Sequence, residues 1–138
     1  MIEILSKDLL GRIAKFKTKS GTVETPAFVP VINPLKLLVS PRRIFEEFKC
    51  STIIANAYLL LKAQREGDIH DFLDFPGSIM TDSGAYQLLI YGQVDVNPRE
   101  IVDFQERVGS DLAVILDVPT GGHSTYEQAR ATVEETIK

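Results

Sequence analysis

Apolar and polar positions alternate in short stretches over the first 25 residues, which read as strands. Arg12 to Thr18 and Thr22 to Thr25 flank Lys19-Ser20-Gly21, a turn that joins them as a hairpin. The pattern then changes. Ala27 to Ile32 is a compact apolar run, and Ser40-Pro41 follows with a good cap and a good first helical residue. The helix this opens carries Ile44, Phe45 and Phe48 on one face. The same rhythm recurs three times. Thr52 to Ala55 is a buried strand, followed by a helix through Leu60 to Glu66. Ser78 to Thr81 is the next strand, after a turn at Pro76-Gly77. Asn97-Pro98-Arg99-Glu100 starts a helix whose buried face is Ile101, Phe104 and Val108. Leu112 to Leu116 reads as the cleanest buried strand of the chain. Ser124 to Glu127 reads as a capping box, and its helix places Tyr126, Ala129, Val133 and Ile137 on one side.

Strands that are apolar along their length, alternating with amphipathic helices, imply a parallel sheet covered by helices. The expected fold class is therefore α/β. A small antiparallel segment (residues 1–25) precedes four strand-plus-helix units (26–138), with no linker to divide them. Four such units make either an open sheet or half of an eightfold barrel, and periodicity does not separate the two.

Composition narrows the class. The chain has 138 residues, 44% apolar and 25% charged, the mix of an ordinary globular protein. No apolar run approaches the roughly 20 residues of a membrane span, and the N-terminus lacks a secretory pattern, so a cytoplasmic location is expected. The net charge of −4 argues against a general nucleic-acid surface on this chain alone. Cys50 is the only cysteine, and no His/Cys cluster offers a zinc site, so no metal or cofactor is expected in this chain. His70 and His123 are expected on the surface or in loops. Lys15, Lys17 and Lys19 form an alternating basic strand, expected to be a solvated face.

In parallel α/β folds, ligands bind at the carboxyl ends of the strands. Three segments place polar groups there: Asn56-Ala57-Tyr58, Asp82-Ser83-Gly84-Ala85-Tyr86-Gln87 and Asp117-Val118-Pro119-Thr120. The second is the richest. Asp82 follows an apolar strand, Gly84 permits a close turn, Tyr86 offers a flat π face, and Gln87 offers both donors and acceptors. A carboxylate, an aromatic plate and an amide suit a flat heterocycle with N–H donors, such as a purine.

At these residues the chain resembles the tRNA-guanine transglycosylases. Thr81 to Gln87 is similar to the family's Asp-Ser-Gly-small-aromatic-Gln signature. Glu24 to Val31 resembles the approach to its first barrel strand, and Asn56-Ala57-Tyr58 the Asn-x-Tyr after its second. The likeness runs in consistent order from about Arg12 to the last residue. The short Asp82-to-Asp117 spacing and Leu-Asp-Val-Pro-Thr (116–120) resemble the archaeal branch. Ala57 stands where a Ser or Thr is usual, and Ala85 where many members have Gly or Ser.

The resemblance implies the N-terminal half of a (β/α)8 TIM barrel. It implies an enzyme that exchanges a guanine in tRNA, at position 15 of the D-loop, for 7-cyano-7-deazaguanine. Asp82 matches the catalytic acid/base, Asp117 a base-reading carboxylate and Tyr86 the stacking residue. Ser83, Gln87 and Asn56 match pocket residues for the base or ribose. The family's nucleophilic aspartate and Cys3His zinc site match nothing in this chain, and are expected in a C-terminal half. The expected partners are tRNA, a guanine or 7-deazaguanine base, and either that second half or another copy joined through open barrel edges. Two other classes stay open: a non-catalytic relative that binds base, tRNA or a partner, and a different barrel enzyme acting on a small molecule.

Overall fold

A computed structural model describes residues 2–86 and 96–138. Two sheets organise the chain. The first is antiparallel, ordered β1-β2-β3, from Ile2–Asp8, Gly11–Lys17 and Thr22–Thr25. The Thr18 amide donates to Gly21 O at 2.8 Å and closes the β2–β3 turn. Lys15 pairs across this hairpin with Glu24 (3.1 Å), two residues that face each other in its register.

The second sheet is parallel, ordered β4-β5-β6-β7, from Val31–Ile32, Thr52–Asn56, Ser78–Asp82 and Leu112–Ala113. Strand order follows chain order, as successive strand–helix units produce. The connecting helices are α1 (Pro41–Glu46), α2 (Ala57–Lys62), α3 (Ile69–Leu73) and α4 (Pro98–Arg107), and α5 (Tyr126–Thr136) follows β7. Ser40, Asn56, Asp68, Asn97 and Thr125 cap their first turns by accepting backbone N–H groups.

The two central strands carry the core. Ile53 and Ile79 are fully buried neighbours in the β5–β6 register. Leu60, Leu73, Phe75, Ile101, Phe104 and Val108 pack against them. Each such side chain contributes about 1.5–3 kcal/mol by leaving water. The Phe45 and Phe75 rings meet edge-on with centroids 5.8 Å apart. Gly77 is required where the chain enters β6, because a Cβ there would strike Ser51 O and the Phe75 ring.

Several sequence expectations shift. The helix after β5 begins at Ala57, because Asn56 caps it, and ends at Lys62 rather than Glu66. Helix α3 was not expected; it is a single capped turn in a Gly- and Asp-rich stretch. Phe48 lies beyond the end of α1 and is exposed. The run at 112–116 pairs as a strand only over Leu112–Ala113, and Val114 and Ile115 beyond it are exposed. The box at α5 uses Thr125 and Gln128, one residue later than Ser124 to Glu127 suggests. Tyr126 and Val133 on α5, and Ile137 at its C-cap, are exposed.

Candidate active site

Adjacent strands β5 and β6 end at the same level. Asn56 and Asp82, their last residues, are partners in the parallel register. Asn56 Oδ1 accepts the Leu59 amide at 2.9 Å, which caps α2 and fixes the side chain. Its Nδ2 then faces Asp82 Oδ2 at 3.5 Å, the outer limit of a hydrogen bond. The cap thus orients the amide toward the carboxylate of the next strand.

Past Asp82 the backbone turns at Gly84, whose φ of +94° lies in the left-handed region that favours glycine. Helical conformation resumes at Ala85 and Tyr86. Ala85 is buried, while Tyr86 remains 62% exposed. Asn56, Asp82 and Tyr86 line one cavity of about 340 Å³, with Ile54, Ala55, Leu59 and the Val31-Ile32-Asn33 segment as its other walls. That volume falls within the roughly 300–1,000 Å³ of small-molecule sites. Apolar walls with a carboxylate, an amide and an exposed aromatic face suit a flat, polar-edged ring.

The other expected residues are placed differently. Ser83 is 1% exposed, and its hydroxyl donates to Ile115 O at 3.0 Å, joining β6 to the segment after β7. Asp117 is half-buried beyond β7 and is not among the residues lining the cavity. Its neighbour Val118 donates to Thr136 Oγ1 at 2.9 Å, which ties that loop to α5. Gln87 lies outside the described residues. Among the described residues no group of three or more His, Cys, Asp or Glu side chains could hold a metal ion. A Cys3His set does not fit this chain, which has one cysteine.

Three side chains matter that the sequence reading passed over. Asn33 lines the cavity after β4 and accepts the Leu35 amide at 3.0 Å. Its signal was an Asn-Pro pair after an apolar run, the strand-end logic that singled out Asn56. Gln105 is 0% exposed on the inner face of α4, where its spacing from Ile101 and Val108 marks a polar residue on an apolar stripe. Asp111 sits at the opposite end of the sheet, its side chain fully buried. It accepts the Ile79 amide (2.8 Å) and the Ser20 amide (3.0 Å), and lies 3.0 Å from His70 Nε2. Burial pushes the Asp111 carboxyl up. The Ile79 and Ser20 hydrogen bonds and the adjacent His70 outweigh that, and its pKa falls below the ordinary value. His70 is thus a mostly buried partner in this cluster, not a surface histidine.

Comparison with known proteins converges on one family. The family model described as queuine tRNA-ribosyltransferase matches residues 7–138. The chain is 49% identical to the tRNA-guanine(15) transglycosylase of Pyrobaculum aerophilum, over 99% of this chain and 28% of the relative. It is 47% identical to that of Aeropyrum pernix, over 100% of this chain and 27% of the relative. With that of Nanoarchaeum equitans the figures are 44%, 99% and 33%. The chain therefore spans about a quarter to a third of the length of the curated relatives it matches.

Proposed function

The chain belongs to the queuine tRNA-ribosyltransferase family, and from that premise we propose that it forms the base-reading side of a tRNA base-exchange site. The observation that carries this reading is the Asn56–Asp82 pair on the wall of a cavity that also exposes Tyr86. The four parallel strands with their helices are the N-terminal part of a (β/α)8 barrel, and the cavity opens at the carboxyl ends of those strands.

The base to be removed is guanine 15 of tRNA, the position for which the relatives are named, and the incoming base is 7-cyano-7-deazaguanine. In the forward step an enzyme carboxylate bonds to ribose C1′ as the glycosidic bond to guanine breaks. The leaving base takes up a proton. Asp82 on the cavity wall moves that proton in this reading, as general acid and then as general base toward the incoming base. Tyr86 stacks on the ring. Asn56 holds the Asp82 carboxylate and reads a polar edge, and Gln87 adds contacts to the same ring. Asp117 and Ser83 complete the base-reading end of the site, Ser83 through its bond to the loop that carries Asp117.

The attacking carboxylate comes from barrel units beyond these four, supplied by a second half that pairs with the open strand edges. Reconstitution tests this. This chain together with those units should incorporate labelled guanine into tRNA, and this chain by itself should not. Incorporation by the chain alone would remove the requirement for the other units. No incorporation by the assembled enzyme, with both parts folded, would remove the reading as a transglycosylase.

A further inference from the structure

The β6–β7 ladder ends just short of the candidate site, and two side chains take over where it stops. The Val114 amide donates to Thr81 O at 2.9 Å, the last backbone bond recorded between these strands. Beyond it β6 turns away at Ser83 and Gly84, so it offers no further amide to the carbonyls of Val114 and Ile115. Gln105 Nε2, reaching across from α4, donates to both Thr81 O (3.0 Å) and Val114 O (3.2 Å). Ser83 Oγ donates to Ile115 O. One of these bridged residues immediately precedes Asp82, and the other lies three before Asp117.

Gln105 is an unusual choice for this position if packing were its only role. Its Nε2 faces two carbonyls, so the amide orientation is forced. Its Oε1 is then buried with no hydrogen-bond partner among the described residues. Burying an unsatisfied acceptor carries a cost that Leu or Met in the same space would avoid. What an apolar residue cannot do is donate to two strand ends at once.

We infer that Gln105 is a positioning residue: it sets the separation of the β6 and β7 ends, and through them of the Asp82 and Asp117 carboxylates. This inference rests on the base-exchange reading for its functional consequence, but its geometric content stands apart from it. Gln105 does not line the cavity and touches no substrate. It acts through the two backbone segments it clamps.

Gln105→Leu and Gln105→Glu separate positioning from packing. Leu removes both donors and the orphaned acceptor together. An ionised Glu sets a carboxylate against two carbonyl oxygens, whereas a neutral Glu keeps one donor. In the assembled enzyme, Gln105→Leu should lower kcat by about 10²-fold, the scale of an ångström-sized misplacement, with KM for tRNA little changed. Gln105→Glu should be as impaired at high pH and should recover part of its kcat as pH falls below roughly 8, the range in which a buried Glu becomes neutral. The Leu variant should show no such recovery. In this chain alone, the Val114 amide should exchange its hydrogen at least about tenfold faster in Gln105→Leu. Crystal structures of that variant should show a changed Asp82–Asp117 separation. An unaltered kcat per folded molecule would overturn the inference, as would unaltered Val114 exchange. If the unmodified assembled enzyme exchanges no base, the functional reading fails, while amide exchange and the carboxylate separation still decide the positioning role.

Discussion

Asn56 does two jobs with one side chain: its oxygen caps α2 at the Leu59 amide, and its nitrogen faces the Asp82 carboxylate across the strand boundary. Substitutions can separate these roles. Asn56→Ser keeps an N-cap and loses the amide donor, whereas Asn56→Ala loses both. A lost cap costs typically ~1 kcal/mol. Asn56→Ala should therefore lower the urea midpoint, and Asn56→Ser should leave it close to the original. Both should weaken base binding by roughly tenfold, in line with a hydrogen bond to a charged group. Equal base affinity in all three proteins, measured by calorimetry on the assembled enzyme, would show that Asn56 is a cap and nothing more.

Tyr86 is largely exposed on the cavity wall, so its ring adds little to the core and its removal should report on ligand alone. Tyr86→Ala should weaken base affinity by the roughly 1–3 kcal/mol typical of aromatic stacking. Tyr86→Phe should retain most of it, because the face and not the hydroxyl makes the contact. A Phe variant as impaired as the Ala variant would shift the role to the hydroxyl.

Much of this arrangement was legible in the sequence. The β5 and β6 ends follow directly from apolar runs that stop at Asn56 and Asp82, and the Gly84 turn from a glycine just past the strand. Local signals of this kind survive folding because the strand and its cap decide them. What was not legible depends on partners far apart in sequence. Ser83 looks like a pocket hydroxyl until Ile115 O is brought beside it. Asp111 looks like an ordinary loop carboxylate until Ser20 and Ile79 converge on it. The run at 112–116 looks fully buried because its composition suits a central strand, yet the strand stops at Ala113 and Ile115 is exposed. Two missed residues did carry a readable sign: Gln105, a polar residue on an apolar helix face, and Asn33, an Asn-Pro pair at a strand end.

β4 is the first strand in the order of the parallel sheet; its Val31, which also lines the cavity, is 81% exposed, and Phe28 just before the strand is exposed too. At the other end of the sheet order, Ile115 just past β7 is 55% exposed. Unpaired apolar strand edges recruit other strands, and a lysine on such an edge discourages pairing. Val31→Lys and Ile115→Lys should each reduce self-association of this chain in sedimentation, and should also slow its assembly with the remaining barrel units. Neither site lies in the buried core, so thermal unfolding should change by no more than about 0.5 kcal/mol, the usual range for surface substitutions. Unchanged association in both variants would assign the edges no part in assembly.

The Asp111 cluster should make the antiparallel hairpin acid-labile. Its carboxylate joins Ser20 of the β2–β3 turn to Ile79 of β6, and Thr18 Oγ1 adds a 2.8 Å contact to Ser78 Oγ beside it. The folded pKa of Asp111 is lowered. Its stabilising contribution is therefore fully present above the unfolded pKa of about 4 and is lost as pH falls through the lower folded value. Asp111→Asn keeps the size but turns one acceptor into a donor facing backbone N–H groups. That should cost about 1–3 kcal/mol near neutrality, the penalty for a buried group left unsatisfied. The cost should shrink as the pH drops below about 4, because the unmodified carboxyl is then being protonated as well. Urea unfolding of both proteins at several pH values reads the difference directly. A gap between them that stays constant into strong acid would mean that the charge on Asp111 plays no part in holding the hairpin against the sheet.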